Sequence, residues 1–180
     1  HKRRMGDLGN PFFIDITEID GFDDLHHAEG ILKQAEERAA ELYGSEETHY
    51  LVNGSTSGIL AAISGCTAAG GTVLLARNSH KSAYHAVLLR GLHVHYIYPQ
   101  PAGKMGINGP VTAENVDRLL EEHPETKMVY ITSPTYDGVV SDVEQIAEVV
   151  HRRKLPLIVD EAHGAHFPFS EQFPRDSVSC

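Results

Sequence analysis

Leu155-Pro156-Leu157-Ile158-Val159-Asp160-Glu161-Ala162-His163-Gly164-Ala165-His166 sets an acid and two imidazoles directly after an apolar run. The run Leu155 to Val159 reads as a buried strand, because its length suits a strand rather than a helix. Asp160 then falls at the strand's carboxyl end, where open parallel sheets hold their ligands. One site is expected to be anchored there.

The segments before this run alternate between two periods. Apolar positions Ile31, Leu32, Ala35, Ala39 and Leu42 keep helical spacing from Glu29 to Tyr43, with Gly44 as a C-cap. A second helix should open within Gly54 to Gly58, run through Ile59, Leu60, Ala62 and Ile63, and stop near Gly70-Gly71. Thr72 to Ala76 reads as a short strand, His80 to Leu89 as a helix closed by Gly91, and His93 to Tyr98 as an alternating strand ended by Pro99. After a loop from Pro99 to Pro110, Thr112 should cap a helix to Glu122 and Asp142 a helix to Arg153, with a strand at Lys127 to Thr132 between them. Strands alternating with helices imply an α/β fold with a mostly parallel sheet and helices on both faces, since parallel strands need crossover connections. Residues 1–28 are less regular and acidic around Asp15 to Asp24, as a surface arm or oligomer contact would be, which leaves 29–180 as the main domain.

With 180 residues and 41% hydrophobic content the chain has the composition of one ordinary globular domain. A formal net charge of −10 argues against general affinity for nucleic acid or an anionic membrane surface, while allowing a local phosphate pocket. Cys66 and Cys180 have no metal-like spacing, and no apolar stretch approaches a membrane span, so a cytoplasmic protein is expected. The start at His1 and the stop at Cys180 suggest a fragment of something longer.

Three segments follow three of the strands: Asn78-Ser79-His80, Thr132 to Gly138, and Asp160 to His166. A fourth, Gly54-Ser55-Thr56-Ser57-Gly58, opens a helix, and the unpaired amides and dipole of such a mouth favour an anion. Each has a plainer alternative. Ser55 or Thr56 could simply cap the helix, His80 could be a cap or surface group, and Asp160 could cap the next helix. His163 and His166 are spaced to share a helical face, but the HExxH pattern is absent and no metal is assigned. His93 and His95 alternate onto one strand face, and His26-His27 are adjacent; neither pair has an evident third ligand, so both are read as structural. Asp160-Glu161-Ala162-His163 also spells a helicase signature, but the nearest phosphate-loop match has Gly71 where the lysine should stand.

Together, a hydroxyl-rich helix mouth, a histidine after one strand and an acid after another meet the needs of pyridoxal 5'-phosphate, whose phosphate is anchored, ring stacked and pyridine nitrogen kept protonated. The chain closely resembles the large domain of the bacterial ornithine/lysine/arginine decarboxylases, a branch of the aminotransferase-like fold. The resemblance runs through His1-Lys2-Arg3-Arg4, Thr17 to His26, Val52 to Gly58, Arg77 to Ser82, Ser133 to Gly138 and Asp160 to His166, in one order. It implies that Ser55 and Thr56, with Ser57, hold the cofactor phosphate, that His80 stacks on one ring face and that Ala162 packs on the other. It further implies that Asp160 pairs with the protonated ring nitrogen, that His163 lies near the ring's phenolic oxygen or the substrate carboxylate, and that Thr132 approaches the ring. Asp160, His80 and His163 are the expected catalytic residues.

Members of that family carry their cofactor-linking lysine some tens of residues beyond this aspartate, and no lysine follows Lys154 here. Lys81 is not the family's linking lysine. The expectation is therefore part of a decarboxylase acting on arginine or lysine before ornithine, feeding polyamine synthesis. It would be homodimeric or larger, and inactive as this piece alone. The competing readings are an α-oxoamine synthase-like acyltransferase, against which Asp20 to His26 and Ser133 to Gly138 speak, and a non-catalytic homologue that binds the cofactor.

Overall fold

The computed structural model describes Phe12 and residues 19–180; readings that fall on 1–11 and 13–18 lie outside the described residues. The chain divides into two compact units, residues 1–50 and 51–180.

In the first unit α1 spans Ile31–Tyr43 and ends, as the sequence predicts, at Gly44 in the left-handed conformation with φ 68°, its amide returned to carbonyls of the last turn. Gly30 at the N-cap has no side chain to offer, and Asp23 takes over from seven residues upstream. One carboxylate oxygen accepts from the amides of Asp24 and Glu29, the other from Gly30, Leu32 and Lys33. An acid at a helix amino end satisfies amides that have no partner within the helix and opposes the helix dipole. Part of the acidity between Asp15 and Asp24 therefore has a structural use.

The second unit is a layered α/β structure. Its elements are α2 (Gly54–Cys66), β1 (Thr72–Ala76), α3 (Lys81–Arg90), β2 (His93–Ile97), α4 (Ala113–Glu122), β3 (Thr126–Thr132), α5 (Val143–Arg152) and β4 (Leu157–Asp160). The strands form one parallel sheet in the order β2-β1-β3-β4. Strand residues alternate between faces, and the core divides accordingly. Val73, Leu75, Met128 and Tyr130 pack with Ile59 and Ile63 of α2 and with Ala83 and Ala86 of α3. Leu74, Ala76, Val129 and Ile131 pack with Val116 and Leu120 of α4 and with Ile146 and Val150 of α5. Burying each large aliphatic side chain contributes ~1.5–3 kcal/mol, so the two half-cores hold the helices to opposite faces.

Thr112 caps α4 by accepting from the Asn115 amide, and Asp142 caps α5 through Gln145. Two expectations are corrected. The second helix stops at Cys66 rather than near Gly70, because Thr67 turns extended and donates its hydroxyl back to the Ile63 carbonyl at 2.6 Å. The strand expected at Leu155 to Val159 begins at Leu157 and is only half-buried along its length, since within this sheet β4 has a neighbour on one side alone.

The strand order fixes where a ligand can sit. From β1 the chain moves outward to β2, crosses back over β1 to β3, and then continues to β4 on the far side. The winding reverses between β1 and β3, and the connections leaving those two carboxyl ends part company there, opening a crevice.

Candidate active site at the carboxyl ends of the strands

The crevice holds a cavity of ≈ 530 Å³. Asn78 and His80 enter it from the segment after β1, Thr132 and Tyr136 from the end of β3 and its following loop, and Asp160, Ala162 and His163 from β4 and the turn beyond. The mouth of α2 closes it with Ser55, Thr56 and Ile59. All four predicted segments thus meet at one place.

Asp160 is held by two donors. The Tyr130 hydroxyl donates to Oδ2 at 3.0 Å and the Ala162 amide to Oδ1 at 3.2 Å. Thr132 pairs in register with Asp160 across β3 and β4, and Tyr130 with Ile158, which places all four on the α2–α3 side of the sheet. Burial, and after it the charge of Asp160 and the hydrogen bond to it, push the Tyr130 hydroxyl far above the ordinary tyrosine range. Tyr130 therefore stays a neutral donor and Asp160 the charge it serves. Among the described residues no α-helix begins after Asp160; a turn and a 3-10 helix at Phe167–Phe169 follow, so its side chain caps no α-helix there.

At the mouth of α2 the N-cap is Asn53, whose side chain makes no capping hydrogen bond. Ser55 and Thr56 lie inside the first turn, facing the cavity, rather than capping it. The helix amides and two hydroxyls are left available to an anion. Ser57 differs, because its hydroxyl donates to the Gly54 carbonyl at 2.9 Å and it does not line the cavity.

His80 combines the two roles that the sequence left open. It is the N-cap of α3, with Nδ1 accepting from the Ser82 amide at 3.3 Å and lying 2.7 Å from the Ser82 hydroxyl, while its exposed ring borders the cavity. Capping fixes the ring's orientation. His163 stands edge-on to Tyr136, with centroids 5.8 Å apart. His166 packs instead against Phe167 and Phe173, so the pair does not converge on a shared ligand position.

Buried polar atoms without a hydrogen-bond partner include Asn78 Oδ1, which belongs to a cavity-lining residue. Such orphans are costly unless a ligand satisfies them. With an uncapped helix mouth for an anion, a restrained carboxylate for a cationic nitrogen and an imidazole whose orientation is fixed by its cap, the lining suits a phosphorylated heteroaromatic ligand such as pyridoxal phosphate.

Three polar contributors escaped the sequence reading as site residues: Asn78, Tyr136 and Tyr130. The first two lie within segments already singled out; Tyr130 looks like strand interior, and only its place two residues before Thr132 on the same face hints at its role. For the His93–His95 pair, the expectation of no third ligand nearby is corrected in part, for His95 and not for His93. His95 does have further potential ligands nearby, since its ring stacks on His123 at 3.4 Å between centroids and its Nε2 lies 3.4 Å from Glu125 Oε1.

Known proteins are similar to this chain. The family described as Orn/Lys/Arg decarboxylase, major domain, matches residues 6–180. An uncharacterized protein, YaaO, of Bacillus subtilis is 44% identical over 165 residues, covering 92% of this chain and 34% of its own length. The arginine decarboxylase of Halalkalibacterium halodurans is 37% identical over 171 residues, 95% of this chain and 35% of its own. The solved lysine decarboxylase A of Pseudomonas aeruginosa superimposes with a TM-score of 0.78 at 25% identity, over 98% of this chain and 27% of that one. Aminotransferase chains share the fold as well. The chain spans about a third of the length of these two curated relatives. It belongs to the Orn/Lys/Arg decarboxylase major-domain family, with the aminotransferase-like fold of pyridoxal-phosphate enzymes.

Proposed function

We propose that this chain is the cofactor-binding part of a pyridoxal-phosphate-dependent decarboxylase acting on arginine or lysine, with ornithine a poorer substrate and a polyamine or its precursor as product. The observation that carries the reading is the convergence of the α2 mouth, His80 and the Tyr130-held Asp160 on one cavity at the strand-order reversal. When bound, the cofactor supplies an electron sink for the pair left on the α-carbon as carbon dioxide departs.

Ser55, Thr56 and the first-turn amides of α2 would take the phosphate. Asp160 would keep a proton on the ring nitrogen, its negative charge favouring the protonated form. His80, oriented by its cap, and Ala162 would bound the two ring faces. His163 would stand near the phenolic oxygen or the substrate carboxylate. Catalysis is assigned to the whole polypeptide, as a cytoplasmic homodimer or larger assembly, and this segment alone is expected to be inactive.

The test is to load the full polypeptide with pyridoxal phosphate, reduce it with borohydride and map the modified lysine by peptide mass, and in parallel to assay Asp160→Ala. The expected result is one pyridoxyl-lysine beyond residue 180 and a loss of at least about a hundredfold in turnover for the variant, which gives up about 1–2 kcal/mol of stability with the Tyr130 hydrogen bond but remains folded. Unmodified wild-type protein would favour a non-catalytic homologue, and normal decarboxylation by the variant would remove Asp160 from the mechanism.

A further inference from the structure

His95, His123 and Glu125 lie away from the cofactor cavity. His95 sits mid-way along β2, paired with Leu74 and hence on the α4 side of the sheet. His123 is the C-cap residue of α4, and Glu125 directly precedes β3. The imidazole rings stack face to face, 3.4 Å between centroids and 11° from parallel. The same carboxylate oxygen, Glu125 Oε1, lies 3.4 Å from His95 Nε2 and 3.6 Å from His123 Nδ1. All three potential ligand atoms fall within 4.8 Å of one another.

The two carboxylate–imidazole spacings match edges of a metal's coordination shell, whereas the 3.4 Å ring stack does not: two imidazoles on one tetrahedral ion hold their centroids about 5 Å apart, so one ring must swing out of the stack to bind. Four nitrogen and oxygen ligands held tetrahedrally around zinc at ~2.0–2.2 Å stand roughly 3.3–3.6 Å from each other. Two of the three edges here already have that length. The donor set, two imidazoles and one carboxylate, suits a borderline divalent ion such as zinc, cobalt or nickel rather than calcium or magnesium, which prefer oxygen. The side chains are partly exposed, with the Glu125 carboxylate 52% accessible, so an ion has a route in and water can complete the shell.

We infer that His95, His123 and Glu125 form a three-ligand site for one zinc-like divalent ion, with water as the fourth ligand. The ion would tie β2, which has a single neighbour in this sheet, to the α4–β3 turn. The site is independent of the cofactor reading, since none of its residues lines the cavity.

The test is zinc binding by the full polypeptide in chelator-buffered Zn²⁺, with His95→Gln, His123→Gln and Glu125→Gln as variants and His93→Gln as the control. The expected result is one zinc per chain that raises Tm. Affinity should fall at least about tenfold in each of the three variants and remain unchanged in the control. Cobalt(II) provides a second reading on wild-type protein alone, because a four-coordinate site with nitrogen ligands gives intense visible bands that the hydrated ion lacks. Zinc binding unaltered by all three substitutions, or a cobalt spectrum no different from that of the hydrated ion, would overturn the inference.

Discussion

Tyr130→Phe tests how the site is held together. The substitution removes one oxygen from a fully buried ring and deletes the 3.0 Å hydrogen bond to Asp160 while leaving the packing intact. A hydrogen bond to a charged acceptor contributes ~1.5–3 kcal/mol. Asp160 is half-buried and keeps the Ala162 amide, so water and that donor recover part of the loss, and destabilisation of about 1–2 kcal/mol is expected. Urea unfolding of wild type, Tyr130→Phe, Asp160→Ala and the double variant would give the coupling directly. Additivity within about 0.5 kcal/mol would refute the pairing. The pH dependence supplies a second check. The tyrosine proton is bound more tightly folded than unfolded, so the hydroxyl's contribution is complete below the unfolded pKa near 10.0 and is lost as pH rises above it. Wild type should therefore lose its advantage over Tyr130→Phe in alkali; a constant difference would contradict the assignment.

Two further perturbations probe other parts of the chain. A methyl group at Gly164 would sit 2.6 Å from Pro134 Cδ and 2.7 Å from Glu161 Cγ, so Gly164→Ala should cost about 1–3 kcal/mol in denaturant unfolding and weaken cofactor affinity by shifting the loop behind Asp160; wild-type values for both would refute the steric argument. Asp23 is held down to about 2, chiefly by the hydrogen bond from the Glu29 amide, with further amides assisting against desolvation. Its stabilisation is present above the unfolded value near 3.8 and is lost as pH falls toward 2, so α1 helicity followed by circular dichroism should drop across that window in wild type and stay flat in Asp23→Asn.

Much of the architecture was legible because it is written in short-range chemistry. Thr112 and Asp142 announce helix starts through side chains that reach an amide three residues on, and Gly44 and Gly91 announce ends through a left-handed conformation that glycine adopts without strain. The four strand-end segments could be named for the same reason, since a ligand site on a parallel sheet gathers where strands give way to loops. The boundary at Cys66 was missed because Gly70-Gly71 is the stronger local stop signal, while the Thr67 hydroxyl turns back to the Ile63 carbonyl only once the helix has formed. Burial of β4 was overstated because an apolar run of that length looks alike in a central strand and at a sheet's margin.

Periodicity and capping were thus enough to establish the succession of helices and strands and the residue types at their ends, since those interactions span four residues or fewer. The order β2-β1-β3-β4 needed the folded chain, because strand pairing is a contest among distant segments that local pattern does not decide. That order creates the crevice between β1 and β3. It also sets Tyr130 against Asp160, thirty residues away, and His95 against His123 and Glu125. Each of these contacts depends on register, and shifting a strand by one residue would turn its side chains to the opposite face.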